Sequence, residues 1–263
     1  MRDNMEIKAK KSLGQNFLQD ETILQNIANS VYTNTSDLII EIGPGKGALT
    51  KYLKKKGSFL ICYELDERLK DLLKKYEDNK TKIIFKDFLK ANILEDSKNF
   101  NYENIYIIAN IPYYITTPII KHIINLEQLK SMTLLVQEEV ARRICALPGS
   151  KSYGSLTVYL NYYFQIKYLF KVSKFAFNPV PKVESAVINF ERKKEKSKVK
   201  SEELFFKLIN DSFKMKRKTL KNNLKNYNWN KIKEVLEKNN LNENVRAEEL
   251  SLEIFIEIAN ILA

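Results

Sequence analysis

Short apolar runs recur along the first two thirds of the chain, separated by stretches whose apolar residues fall at three- and four-residue spacing. Leu38-Ile39-Ile40, Phe59 to Tyr63, Ile83-Ile84-Phe85, Ile105 to Ala109 and Met132 to Val136 each read as a strand that leaves neither face in water. The spacing between them predicts helices from Asp20, as cap, to Val31, over 48–56 before Gly57, from Asp66 to Tyr76, from Thr117-Pro118 to Leu126, and over 138–146 before Pro148-Gly149. Strands that alternate with helices predict an α/β fold with a largely parallel sheet covered on both sides. A helix around Leu156 to Phe164 follows, then strands near Ile166 to Val172 and Ser185 to Phe190.

The run Glu191 to Lys198 contains no apolar residue and reads as an exposed linker. Only helical periods follow it. Two domains are therefore expected: residues 1–190, built on the sheet, and a smaller all-helical domain over residues 191–263.

Composition narrows the chemistry. The 263 residues include 44 Lys and Arg against 32 Asp and Glu, a net charge of +12 that suits a polyanionic partner. The N-terminus lacks the apolar run of a signal peptide and no segment is long and apolar enough to span a membrane, so a cytoplasmic protein is expected. Two distant cysteines and one histidine, His122, argue against a zinc site and against Ser-His or Cys-His catalysis.

Candidate chemistry gathers where the strands end. Glu41 to Gly47 reads G-x-G-x-G after the first strand, and glycines there let a ligand approach the backbone. The spacing is neither the G-x-G-x-x-G of dinucleotide folds nor a P-loop. Glu64 ends the second strand, 21 residues after Gly43, where a carboxylate can accept both hydroxyls of a ribose. Asp87 ends the third, suited to an adenine amino group, with Phe88 to cover the ring. Asn110 ends the fourth and opens Asn110-Ile111-Pro112-Tyr113. Together these residues describe a nucleoside-type cofactor across one sheet edge, and the glycine turn favours S-adenosylmethionine over NAD.

At this point the sequence resembles the adenine-N6 dimethyltransferases of ribosomal RNA, in particular their small-subunit branch. The resemblance is carried by KKSLGQNFL at 10–18, EIGPGKGALT at 41–50, DFL at 87–89, NIPY at 110–113, VQEEVARRI at 136–144, PGSKSYGSL at 148–156, FNPVPKVESAV at 177–187, RKTLKNNL at 217–224 and RAEELS at 246–251. It implies a Rossmann-like methyltransferase domain followed by a helical one. The implied cofactor is S-adenosylmethionine, leaving as S-adenosylhomocysteine, with no metal. Asn16, Leu18, Gly43, Glu64, Asp87 and Asn110 are the cofactor contacts it implies, and the catalytic stretch is Asn110, Ile111, Pro112 and Tyr113. Carbonyls of Asn110 and Ile111 can accept the two hydrogens of an adenine amine, with Pro112 fixing the backbone, while Tyr113 and Phe177 can stack on the extruded base. Family members commonly have Asn where this chain has Tyr114.

The implied substrate is small-subunit rRNA in a pre-30S particle, met by a monomer. For RNA contact, residues 214–225 hold six basic and no acidic side chains. Read as one helix, the segment turns Phe213, Leu220, Leu224 and Tyr227 inward and Lys214, Lys218, Lys221 and Lys225 outward, with Arg217 beside them. The alternatives are an Erm-type large-subunit rRNA methyltransferase, a non-catalytic RNA-binding assembly factor, and a DNA adenine methyltransferase, whose motif is usually D-P-P-Y.

Overall fold

The computed structural model of the protein describes residues 7–110, 116–194 and 198–263. The expected sheet is present. In chain order its first elements are β1 (Phe17–Leu18), α1 (Glu21–Asn29), β2 (Leu38–Ile42), α2 (Thr50–Lys54), β3 (Phe59–Glu64), α3 (Lys70–Lys74), β4 (Thr81–Phe85), α4 (Ile93–Asp96) and β5 (Ile105–Asn110). There follow α5 (Thr116–Ile123), β6 (Leu129–Gln137), α6 (Glu138–Ile144), α7 (Ser155–Tyr163), β7 (Phe164–Val172), β8 (Phe177–Asn178) and β9 (Ser185–Arg192).

Among the described residues, seven strands form one sheet in the order β4-β3-β2-β5-β6-β9-β7. The five from β4 to β6 are parallel, and β9 is antiparallel to β6. Every residue of β2 is buried, as a central strand between two helical layers requires. The chain leaves β2 for β3 on one side and later returns to β5 on the other. That reversal opens a crevice beyond the carboxyl ends of β2 and β5, where α/β sheets bind ligands.

Polar residues at the strand exits are caps. Asp20 Oδ1 accepts from the Ile23 N–H (3.0 Å) and starts α1. Asp66 and Asp87 do the same for short 3-10 turns over Glu67–Leu69 and Phe88–Lys90. Two glycines of the turn after β2 have a steric reason. Gly43 has φ +72° and Gly47 φ +81°, and a Cβ on Gly47 would lie 2.3 Å from Cε2 of Tyr76. The single histidine has a structural place: its Nε2 is 3.1 Å from the Ala91 carbonyl and its ring meets Phe88 edge-on.

The chain divides into two compact units, residues 1–141 with 167–192, and residues 142–166 with 193–263. The second boundary falls close to the expected linker, but residues 142–166 belong with the C-terminal segment rather than with the sheet domain of residues 1–190. Their aromatic side chains explain this. On α7, Tyr162 packs its ring 4.9 Å from Phe205 and donates to Glu202 (3.0 Å), while Tyr159 meets Phe206 at 4.9 Å. Both partners lie on α8 (Glu202–Ser212), and an apolar helix face joins whichever core covers it.

The second unit continues with α9 (Leu220–Asn223), α10 (Trp229–Lys238) and α11 (Leu252–Leu262). The single helix expected across the basic segment is not formed. Thr219 caps the four-residue α9, and Asn223 exchanges two hydrogen bonds with the Met215 backbone (3.0 and 3.2 Å) that hold residues 215–219 as a turn. The apolar positions still face inward, with Leu220 and Leu224 buried.

Gly47→Ala should lower stability by about 1–3 kcal/mol for holding a side chain at positive φ, with the clash against Tyr76 added to it, and Tyr76→Ala in the same chain should recover only the steric part. Urea denaturation of the single and double variants measures both.

Candidate active site

The strand order delivers the expected residues to one cavity. Asn16, Leu18, Gly43, Glu64, Asp87 and Asn110 all line a cavity of about 390 Å³, within the size range of small-molecule sites. Ile111, Pro112 and Tyr113 lie outside the described residues, as does Tyr114.

Glu64 is 6% exposed and heavily used. Its Oε1 accepts from the Leu65 and Asp66 N–H groups (both 2.9 Å) and its Oε2 from the Gly45 N–H (3.0 Å). A carboxylate has about four acceptor positions, so one stays open, on Oε2. Burial pushes the Glu64 pKa above the ordinary glutamate value, against the pull of those three donors. Asp87 spends Oδ1 on the Leu89 N–H (3.0 Å) and is half-buried.

The N-terminal segment is held by a chain of polar contacts and a short ladder. Asp66 accepts Nε and Nη2 of Arg68 (2.8 and 2.6 Å), which holds its carboxyl at about 2, and it also accepts Nε2 of Gln15 (2.8 Å). Gln15 Oε1 in turn accepts from the Lys10 N–H (2.8 Å). Beyond it, Phe17 and Leu18 pair antiparallel with Asn178 and Phe177. Sequence periodicity has no means of finding a two-residue strand whose partner is so distant.

That pairing also corrects one expectation. Phe177 does not line the cavity: it is 3% exposed and belongs to the apolar core with Leu18, Leu135, Val172 and Val187. Its ring presents no free face for a base.

Among the cavity residues given no role from sequence are Glu41, Lys46 and Leu65. Lys46 rests 5.1 Å from the centroid of the Phe17 ring, and Leu65 is exposed beside Glu64. Glu41 is buried, and its Oε2 accepts from the Thr50 hydroxyl (2.6 Å) and from Cys62 Sγ (3.4 Å). An acidic residue inside an apolar strand was the available signal. Burial raises its pKa to about 7 despite both donors.

The basic residues of the 214–225 segment are exposed. Lys214, Arg217, Lys218 and Lys225 have no acidic partner among the described residues, whereas Lys221 is paired with Glu243 (3.0 Å) and lies over the Trp229 ring. The acid that occupies Lys221 stands 22 residues further on, outside any local charge pattern.

A parallel sheet with a topological reversal, a glycine turn and carboxylates at successive strand ends defines a Rossmann-like methyltransferase. Residues 6–263 match the family model described as ribosomal RNA adenine dimethylase, and the chain belongs to that family of enzymes. It is 43% identical over 256 residues to ribosomal RNA small subunit methyltransferase A of Clostridium botulinum (strain Kyoto), covering 95% of this chain and 92% of that one. The protein of the same name from Streptococcus thermophilus (strain LMD-9) is 40% identical over 266 residues, covering 96% and 91%. Among solved structures, the 23S rRNA methyltransferase ErmE superposes with a TM-score of 0.76 at 25% identity over 94% of this chain and 99% of that one. A dimethyladenosine transferase from Plasmodium falciparum shares the fold, with a TM-score of 0.75 at 24% identity over 92% and 95%. The family and fold imply S-adenosylmethionine as cofactor and rRNA as substrate.

Glu41 gives a pH signature. Its pKa is raised from the ordinary 4.5, so the native protein holds a proton that the unfolded chain releases, and the resulting stability is present below pH 4.5 and lost as pH rises through about 7. Relative to Glu41→Gln, the wild type should lose about 2–4 kcal/mol between pH 4 and pH 8, read from urea denaturation at the two pH values.

Proposed function

We propose that the protein dimethylates the exocyclic amines of two adjacent adenosines near the 3′ end of small-subunit rRNA, within a partly assembled small subunit and without a metal. The observation that carries this reading is the position of Asn110, which lines the same cavity as Gly43, Glu64 and Asp87. An amide carbonyl at that point borders the place where a bound cofactor would end.

The cavity suits S-adenosylmethionine on its own terms. Gly43 leaves the space that a Cβ would take, 3.5 Å from the Asn110 backbone carbonyl. Glu64 keeps one acceptor position for a ribose hydroxyl, Asp87 keeps Oδ2 for an adenine amine, and Leu65 and Phe88 supply apolar surface beside them. When bound, S-adenosylmethionine supplies an electrophilic methyl group on a sulfonium.

The chain's part in the reaction is orientation. An adenine amine is a weak nucleophile because its lone pair is delocalised into the ring. Asn110 Oδ1 accepts one of its hydrogens and the Ile111 carbonyl the other, which directs the lone pair out of conjugation, and Tyr113 stacks on the base. None of the three forms a covalent bond with the substrate. A second round on the same nitrogen gives dimethyladenosine.

The small subunit is preferred as substrate because the similarity to small-subunit methyltransferases reaches 40–43% over more than nine tenths of those proteins, against 25% for ErmE. Fold alone does not separate the two. Phosphate contact is assigned to Lys214, Arg217, Lys218 and Lys225, while Lys221 would first have to leave Glu243. The protein is proposed to act as a cytoplasmic monomer.

Methyl transfer from labelled S-adenosylmethionine to immature small subunits, large subunits and naked RNA, with the modified bases mapped, tests the reading. Methyl groups on large-subunit RNA would replace it with the Erm-type one. Asn110→Ala should reduce turnover at least a hundredfold while cofactor affinity changes little, the pattern of a group needed chiefly in the transition state. Glu64→Ala should instead weaken cofactor binding by about 1–3 kcal/mol in calorimetry, and a chelator should leave that binding unchanged.

A further inference from the structure

Residues 174–184 form a loop closed at its neck, where the Lys174 N–H donates to Glu184 Oε2 (3.0 Å). Its first turn is a 3-10 helix, Lys174–Ala176, capped by Ser173, whose Oγ accepts from the Phe175 N–H (3.3 Å). The backbone beneath Phe175 is therefore fixed. Two side chains anchor the loop inward: Phe177 in the core and Pro181, also buried.

Ala176 packs partly against the core, and three larger apolar side chains point outward. Phe175 is 75% exposed, Val180 53% and Val183 43%. Exposed apolar residues scattered singly need no explanation, but these three share one tethered loop. Lysines accompany them. Lys174 Nζ lies 5.3 Å from the centroid of the Phe175 ring, and Lys171 and Lys182 are exposed. Glu184 is the only acid from residue 171 to residue 184, and it is engaged in closing the neck.

The loop also borders the cofactor cavity. The Gln19 N–H donates to the Ala176 carbonyl (2.8 Å), Leu18 pairs with Phe177, and both Gln19 and Leu18 line the cavity. An aromatic ring held on a tethered loop, with a lysine against it and further lysines but no free acid in its own segment, has the chemistry of a stacking platform for single-stranded nucleic acid. From this we infer that Phe175 stacks on an unpaired nucleotide flanking the target adenosines, with Lys171, Lys174 and Lys182 holding the adjoining phosphates. The inference rests on the RNA-methylating reading above and adds to it a positioning residue outside the cavity.

The test uses the full-length protein, Phe175→Ala, Phe175→Leu and Phe175→Tyr, and a hairpin of 3′-terminal small-subunit rRNA with 2-aminopurine beside the target adenosines. Wild type and Phe175→Tyr should change the probe's fluorescence on binding, and Phe175→Ala and Phe175→Leu should not. With immature small subunits as substrate, Phe175→Ala should raise KM about 5- to 150-fold at nearly unchanged kcat, the range expected for one lost base stack. S-adenosylmethionine affinity, measured by calorimetry on the same preparations, should equal that of wild type and so reports an intact fold. Retention of the fluorescence change or of the wild-type KM by Phe175→Ala overturns the inference, as does wild-type behaviour of Phe175→Leu, which keeps apolar bulk but has no aromatic face. Failure of the wild type itself to methylate small subunits would overturn the functional reading first and the inference with it, so the two failures are distinguishable.

Discussion

Parallel register is the constraint on which the site depends. Ile42 is paired with Tyr63 on one side and Ala109 on the other, and Glu64 with Phe85, so four chain exits stand at one level. The ladder continues one step past the strands, with the Gly43 N–H on the Tyr63 carbonyl and the Lys86 N–H on that of Glu64 (both 2.9 Å). A slip of one residue would turn Leu65 or Tyr63 toward the position Glu64 holds, because successive side chains alternate. In β2, apolar on both faces, what opposes that slip is Glu41, the one polar residue of the five, whose Oε2 is held by the Thr50 hydroxyl (2.6 Å).

The same fact explains why the sheet was legible. Runs such as Ile105 to Ala109 carry their own evidence of double burial, and the polar residue that ends each run is conspicuous against it. Asn16 and Leu18 are reached only through family resemblance, because the ladder that holds their segment pairs Phe17 with Asn178 and Leu18 with Phe177, far along the chain. The basic segment misled for the opposite reason. Its apolar spacing is truly helical and its buried residues are the expected ones, yet Thr219 and Asn223 offer the backbone local hydrogen bonds that compete with a continuous helix. The charged run at Glu191 to Lys198 is the one boundary that composition marks, and on it residues 142–166 fall with the sheet. What decides their place is an aromatic face on α7 whose partners, Phe205 and Phe206, come later in the chain.

Phe177 shows how a motif can be right about location and silent about orientation. The segment that contains it does lie against the cavity wall, through the pairing with Leu18. Alternation along a strand then decides which residues face the core, and Phe177 faces it. Aromatic surface in this loop is supplied instead by Phe175, which no periodic argument distinguishes from its neighbour two positions on.

Charge divides the work between cofactor and RNA. The cavity is lined by Glu21, Glu41, Glu64 and Asp87 against Lys46 and Lys86, but Glu21 is paired with Lys51, burial lifts the Glu41 pKa to about 7 and Lys46 is drawn onto the Phe17 ring, which leaves Glu64 and Asp87 as the acids to meet a ligand. A dinucleotide would bring its phosphates toward those carboxylates, at a cost that rises as water is excluded. S-adenosylmethionine has no phosphate, and its sulfonium and ammonium outweigh its one carboxylate. The protein as a whole carries +12, so its excess of cations lies elsewhere, on surfaces such as Lys214 to Lys225 and the loop at Phe175. A basic surface draws an RNA chain to the protein while the strand-end carboxylates Glu64 and Asp87 disfavour phosphate beside them, so that the portion of RNA best able to enter is an uncharged base.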